Sequence, residues 1–286
     1  MSEYRDMSFN PELLKIEHFK HYPQMIPFVG KNYKDTRLLI IAESHYLPPK
    51  TKDFDPEKFF ADWYDYGKNP IPETWYNNGN PEPVNLKKQV ESFNSENYEN
   101  KEYPKENYYC WVDYTWTAKI VAAVEWNNGG HRIYKVLRTS LNDVLKNNIA
   151  NLEDCAFMNF FQRPAKESGK SIQHDKDDIK VAGDTLQAVC EILKPAKLFF
   201  VSSRAYGAFC AYINNKENQL KWEGSKNSCN AIQMIGSFNN VIIGHGAHPG
   251  CSWWNRKSKN YTKKNGGYNN TGKEAFEYFI SDNFKF

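Results

Sequence analysis

Three short stretches of the chain concentrate groups that can move protons and donate hydrogen bonds: Glu43-Ser44-His45-Tyr46, Asn159 with Gln162 and Arg163, and His245 with His248-Pro249. A carboxylate, a carboxamide and an imidazole brought into one cleft form an active-site inventory for acid–base and hydrogen-bond chemistry. Taken singly, each has a plainer reading. A glutamate at a strand end is commonly a cap, a buried asparagine satisfies loop backbone, and His-Pro pairs occur in turns. What singles these three stretches out is that each directly follows an apolar run.

Those runs are the elements that must position the groups. Leu38–Ala42, within RLLIIAE, is apolar without alternation, as expected for a parallel strand buried on both faces. Cys155–Asn159, Lys197–Ser202 and Val241–Gly244 read as further buried strands, and Ala231–Ile235 as an edge strand. Between them lie helical patterns near Tyr114–Trp126 and over Arg132–Asn147, where Ile133, Val136, Leu137, Leu141, Val144 and Leu145 share one face. Asp177–Lys194 is the clearest helix, with acids at its start, Ile179, Ala182, Leu186, Val189 and Leu193 on one side and Pro195 just beyond. Ser203–Ile213, capped by Ser202 or Ser203, and Glu274–Asp282 complete the set. Strands alternating with helices predict a three-layer α/β/α domain over 1–286, with a mostly parallel central sheet of about four strands. Ligands of such sheets bind at the carboxyl ends of the strands, where the three stretches fall. A Pro-, Asn- and Tyr-rich insertion at about 47–115, with one short helix at Pro56–Tyr66, interrupts the pattern.

Composition narrows the class. The chain has 286 residues and is 40% hydrophobic, enough for a sizeable core. Its apolar runs are too short to span a bilayer and its N-terminus lacks an apolar signal region, so a cytoplasmic protein without a membrane partner is expected. Cys110, Cys155, Cys190, Cys210, Cys229 and Cys251 are widely spaced with no C-x-x-C pair, which reads as reduced structural thiols, with no metal and no cofactor expected. The net charge is only +3, but it is unevenly placed. From Asp53 to Glu106 acids outnumber lysines twelve to six, whereas Trp253–Lys273 holds six bases (Arg256, Lys257, Lys259, Lys263, Lys264, Lys273) and no acid. Trp253, Trp254, Tyr261 and Tyr268 interleave with those bases, a pattern suited to phosphates and stacked bases as well as to a solvated loop.

In order and spacing the motifs resemble the uracil-DNA glycosylase superfamily across most of the chain. LLIIAESHY is similar to its first motif, a hydrophobic strand leading into a short turn. FMNFFQRPA, the helix DDIKVAGDTLQAVCEILKP and the strand AKLFFVSS resemble the middle of its iron–sulfur branch, although the four cluster cysteines are absent. GHGAHPGCSWWNR resembles the second active-site motif. Departures are specific: Ala42 replaces the first-motif glycine, His45 a proline, Gly250 a serine, and Ser44 stands where the most active branch carries its water-activating aspartate.

The resemblance implies a monofunctional DNA N-glycosylase acting on single- or double-stranded DNA, in base excision and repair. The target nucleotide is extruded from the stack, and cleavage leaves positive charge on the sugar and negative charge on the departing base. His248 then matches the donor to the base oxygen, and Glu43 the group that orients or deprotonates water. Asn159, together with Ser44, His45 and Tyr46, matches the base-binding set, since a carboxamide can both donate to and accept from a pyrimidine edge. Trp253, Trp254, Arg256, Lys257 and Arg163 match positions that wedge the duplex or hold phosphates. An aromatic to stack on the flipped base would come from the insertion: Phe54, Phe59, Phe60 or Trp63. Three rivals remain: a glycosylase for another base such as hypoxanthine or a bulky modified cytosine, a non-catalytic DNA-binding or interaction module on the same fold, and a small-nucleotide hydrolase.

Overall fold

The computed structural model describes residues 4–46, 60–66, 115–118, 120–121, 132–144, 152–165, 170–215, 222–223, 228–231, 236–238, 240–256 and 271–283. In chain order the main elements are α1 (Asn10–Leu13), α2 (Glu17–His21), β1 (Phe28–Val29), α3 (Tyr33–Thr36), β2 (Leu38–Ala42), α4 (Phe60–Tyr64), α5 (Arg132–Val144) and β3 (Cys155–Asn159). There follow α6 (Lys176–Leu193), β4 (Lys197–Phe200), α7 (Ser203–Asn214), β5 (Trp222–Glu223), β6 (Ser228–Ala231), β7 (Ile242–His245) and α8 (Gly272–Asn283).

The strands form one seven-stranded sheet in the order β1-β3-β2-β4-β7-β6-β5. Its centre, β3-β2-β4-β7, is parallel throughout, and these are the four strands that the apolar runs predict. Every residue of β2 and β3 is buried, which explains why neither run alternates. The edges are antiparallel: β1 on β3 at one side, β6 and β5 beyond β7 at the other. Of the edge strand expected at Ala231–Ile235, Ala231 ends the strand Ser228–Ala231 and 232–235 lie outside the described residues, and the two-residue strands β1 and β5 carry too little pattern to be read from sequence.

Helices cover both faces. In β4, Phe199 packs on Phe276 and Phe279 of α8, while the next residue, Phe200, packs on Phe209 of α7. Successive strand residues point to opposite faces, so α7 and α8 lie on opposite sides of the sheet. Tyr134 of α5 contacts Phe157 of β3 on the α8 face, and α6 pairs with α7 on the other. The α6–α7 contact is close: a Cβ on Gly183 would lie 2.2 Å from the Tyr212 ring.

Helix α6 begins with a capping box, in which Asp175 accepts from the Asp177 and Asp178 amides and Asp178 accepts from that of Asp175. It ends at Lys194 in a left-handed conformation, one residue before Pro195. An N-terminal arm packs α2 against the segment around α4 through an aromatic cluster: His18, Tyr22, Trp63, Tyr64 and Tyr66.

Of the insertion at about 47–115, the described part is 60–66 and Thr115, and the helix expected at Pro56–Tyr66 appears there as Phe60–Tyr64. Most of the helix expected at 114–126 lies outside the described residues. Cys155, Cys190, Cys210 and Cys251 are in no disulfide, and the Cys110 and Cys229 side chains lie outside the described residues too. Among the described residues, no helix is long and apolar enough to cross a membrane.

Candidate active site at the strand ends

From β2 the chain crosses to β3, its neighbour on one side, whereas from β4 it proceeds toward β7 on the other. Connections diverge between β2 and β4, which opens a crevice at their carboxyl ends. Glu43 follows β2 at that point. The residue is 6% exposed, and its carboxylate is gripped at both oxygens. Oε1 accepts from the backbone N–H of Ile172 at 2.9 Å, and Oε2 from the Ser202 hydroxyl at 2.7 Å. Ser202 is also the N-cap of α7, accepting from the Ala205 amide at 3.2 Å, so one hydroxyl orients both the helix and the glutamate.

His248 follows β7 and lies within electrostatic reach of Glu43. Burial pushes its imidazole below the ordinary histidine range, against an upward pull from the Glu43 carboxylate, so the ring is neutral at neutral pH. The Gly250 amide donates to Nδ1 at 3.0 Å. A ring nitrogen that accepts is unprotonated, which leaves the proton on Nε2 and makes that atom a hydrogen-bond donor. Gly250 has a steric role as well: a Cβ there would stand 3.0 Å from both Cε1 and Nδ1 of the imidazole.

Asn159 ends β3, in register with Ala42, and is 9% exposed. It shares the sheet face of Phe157, on the α5 and α8 side, whereas Glu43 turns toward α7; the two flank the strand ends from opposite faces. No described residue hydrogen-bonds the Asn159 carboxamide. The Ser44 hydroxyl is likewise buried without a partner. His45 is 5% exposed, with Nε2 at 3.2 Å from the Thr117 hydroxyl, so it belongs to the packing beneath the cleft. Tyr46 bridges to Ala165 and packs partly buried against the core. His245, at the end of β7, stacks on Tyr206 at 4.0 Å, and burial takes its pKa down to about 4.

No family model and no curated protein matches the chain. The reading of the site therefore rests on its own residues.

The outer set predicted to meet DNA divides sharply. Trp253 is 48% exposed and Arg256 is exposed, as a surface contact requires. Lys257 lies outside the described residues, as do Lys259, Tyr261, Lys263, Lys264 and Tyr268. Two expectations are corrected. Trp254 is fully buried against Phe276 and cannot wedge into a duplex without unpacking the core. Arg163 is fully buried too, forked onto Asp178 through Nε–Oδ1 and Nη2–Oδ2 contacts of 2.8 Å each and bonded to the Gln173 carbonyl, so it is not free for a phosphate. Its pair with Asp178, which also accepts from Tyr64, ties the loop after β3 to the start of α6. Lys273 is engaged by Asp143 and Glu277, and Trp63 is buried beside Tyr22, which removes it as a stacking platform. Phe54 and Phe59, and the side chain of Phe60, lie outside the described residues.

Sequence reasoning missed the residues that grip Glu43. Ser202 is legible as a helix cap, but its second bond is not. Nothing local marks Ile172 as the partner of a glutamate 129 positions earlier. His174 was also missed: it stacks on Phe161 at 4.8 Å, and burial together with the Arg204 cation lowers its pKa against opposing pulls from Asp178, the Ile172 backbone and Glu43. Arg204, on the first turn of α7, donates to the Ile172 carbonyl at 3.1 Å. Among the described residues, no group of three or more His, Cys, Asp or Glu side chains could hold a metal ion.

Proposed function

We propose that the chain is a DNA glycosylase of the uracil-DNA glycosylase type, which flips a damaged or modified base, uracil or a related pyrimidine, and hydrolyses its N-glycosidic bond. The observation that carries this reading is His248 together with Glu43: a neutral imidazole whose proton is held on Nε2 by the Gly250 amide, within electrostatic reach of an oriented carboxylate. Glycosidic cleavage needs both. A neutral donor supports the oxygen of the departing base as it becomes anionic, a contribution on the order of 3–4 kcal/mol in comparable oxyanion sites. Glu43 orients water for attack on the sugar carbon and favours the oxocarbenium-like sugar, with the water proton passing toward the carboxylate as the base leaves with the bonding pair. The carboxamide of Asn159 and the hydroxyl of Ser44, neither hydrogen-bonded by a described residue, supply hydrogen-bonding groups for a base edge. Trp253 and Arg256 offer an exposed aromatic and a cation for the DNA.

A specific observation also supports a non-catalytic, DNA-binding version of the fold. Glu43 already spends one bond from each oxygen on the protein, as a structural pin would. The two readings separate in a base-release assay on oligomers carrying uracil, hypoxanthine, xanthine, 5-hydroxymethyluracil and bulky modified cytosines, with wild-type and His248→Ala protein. Release of one base that the variant abolishes supports the enzyme. Salt-sensitive DNA binding with no release supports the binding module, and the absence of both base release and DNA binding removes both readings.

A further inference from the structure

We propose that Gln162 is the positioning residue for Asn159; the functional part of this inference rests on the glycosylase reading above. Beyond β3 the parallel ladder to β2 continues through the Phe160 amide on the Ala42 carbonyl and the Phe161 amide on the Glu43 carbonyl, both at 2.9 Å. The chain then turns, and the carbonyls of Asn159 and Phe160 take their hydrogen bonds from a side chain instead. Gln162, 3% exposed, donates from Nε2 to Asn159 O at 2.8 Å and to Phe160 O at 2.9 Å. Both protons of one amide nitrogen are thus spent on adjacent peptide groups.

The next residue, Arg163, is locked by Asp178 and by the Gln173 carbonyl, so the turn is held from both ends. Asn159 needs that external support. No described residue hydrogen-bonds its carboxamide, so among the described residues its direction follows from its own backbone and packing. A recognition group held in this way is aimed by whatever fixes its peptide, and sites of this kind tolerate little looseness. The donor nitrogen of Gln162 is fully used within the turn.

The test follows the Asn159 signals by NMR in protein labelled with 15N at asparagine, with base release measured in parallel, for wild-type, Gln162→Met and Gln162→Glu. In Gln162→Met both donors are lost, so the Asn159 carboxamide and backbone resonances shift and broaden, and kcat falls about ten- to a hundredfold with little change in KM. In Gln162→Glu the buried carboxyl faces two carbonyl oxygens and titrates above its ordinary range. Protonated, it donates once; ionised, it donates nothing. The Asn159 resonances and the kcat relative to wild type therefore recover as pH falls and worsen as it rises, a dependence that a merely loosened fold does not produce. Unchanged Asn159 resonances in a folded Gln162→Met protein overturn the inference, as does a Gln162→Glu protein that follows wild type at every pH. Should Gln162→Met not fold, the pH dependence of Gln162→Glu decides alone. If wild-type protein releases no base, the glycosylase reading fails while the NMR result still decides the role of Gln162.

Discussion

Replacing Glu43 with glutamine separates what this carboxylate holds together from what it does. The substitution keeps shape and exchanges one oxygen for an NH2 group. The remaining oxygen can still accept from the Ile172 amide, now 2.9 Å from Oε1. The new NH2 would face the Ser202 oxygen, which today donates to Oε2 at 2.7 Å. Ser202 also accepts from the Ala205 amide, so its oxygen can take a second donor, but its own proton loses its acceptor. Two bonds to a charged group, worth about 1.5–3 kcal/mol each, become neutral ones worth about 0.5–1.5 kcal/mol, so the net loss is about 2 kcal/mol. For a chain of 286 residues that corresponds to a Tm lower by about 3–4 °C, measurable by thermal unfolding. The variant should therefore fold. If Glu43 also serves the attacking water, base release from the preferred oligomer falls by about 10²–10⁴ at temperatures where both proteins are folded, far more than the stability loss explains. An unchanged or higher Tm would refute the pin, and undiminished base release from the folded variant would refute the catalytic role.

Acid should weaken the fold through its buried histidines. Burial holds His18 at about 3 and His245 at about 4, below the ordinary histidine value of about 6.5, so the unfolded chain binds more protons as pH drops. Their contribution is complete above pH 6.5 and is lost progressively below it, about 2 kcal/mol per site at pH 5, to be read from urea unfolding at pH 7 and pH 5. Equal stability at the two pH values would show that these rings are not buried neutral. The neighbouring tryptophans should behave oppositely: Trp254→Ala, emptying a fully buried site, costs about 3–5 kcal/mol, whereas Trp253→Ala, at a side chain 48% exposed, changes stability by about 0.5 kcal/mol or less. On DNA, Trp253→Ala should weaken activity on duplex substrate more than on single strands, and equal losses on both would remove the wedge role.

The sequence alone determined the parts of this protein whose physics is local. Runs such as Leu38–Ala42 and Cys155–Asn159 are buried on both faces and carry no polar alternation, so they read as central parallel strands and are found as such. Helix α6 declares its start through Asp175 and Asp178 and its end through Pro195. The strand-end positions of Glu43, Asn159 and His248 follow from those elements. Only the tertiary structure decided which groups those residues meet. Glu43 is held from Ile172 and Ser202, 129 and 159 positions away, because strand order sets β4 beside β2 and brings the loop before α6 over the crevice. Arg163 and Trp254 carry the residue types of a DNA contact, yet one is neutralised by Asp178 and the other is packed on Phe276, both fully buried. A side chain's type states what it can bind. Whether it faces solvent, the crevice or a distant partner depends on long-range contacts that no local pattern encodes.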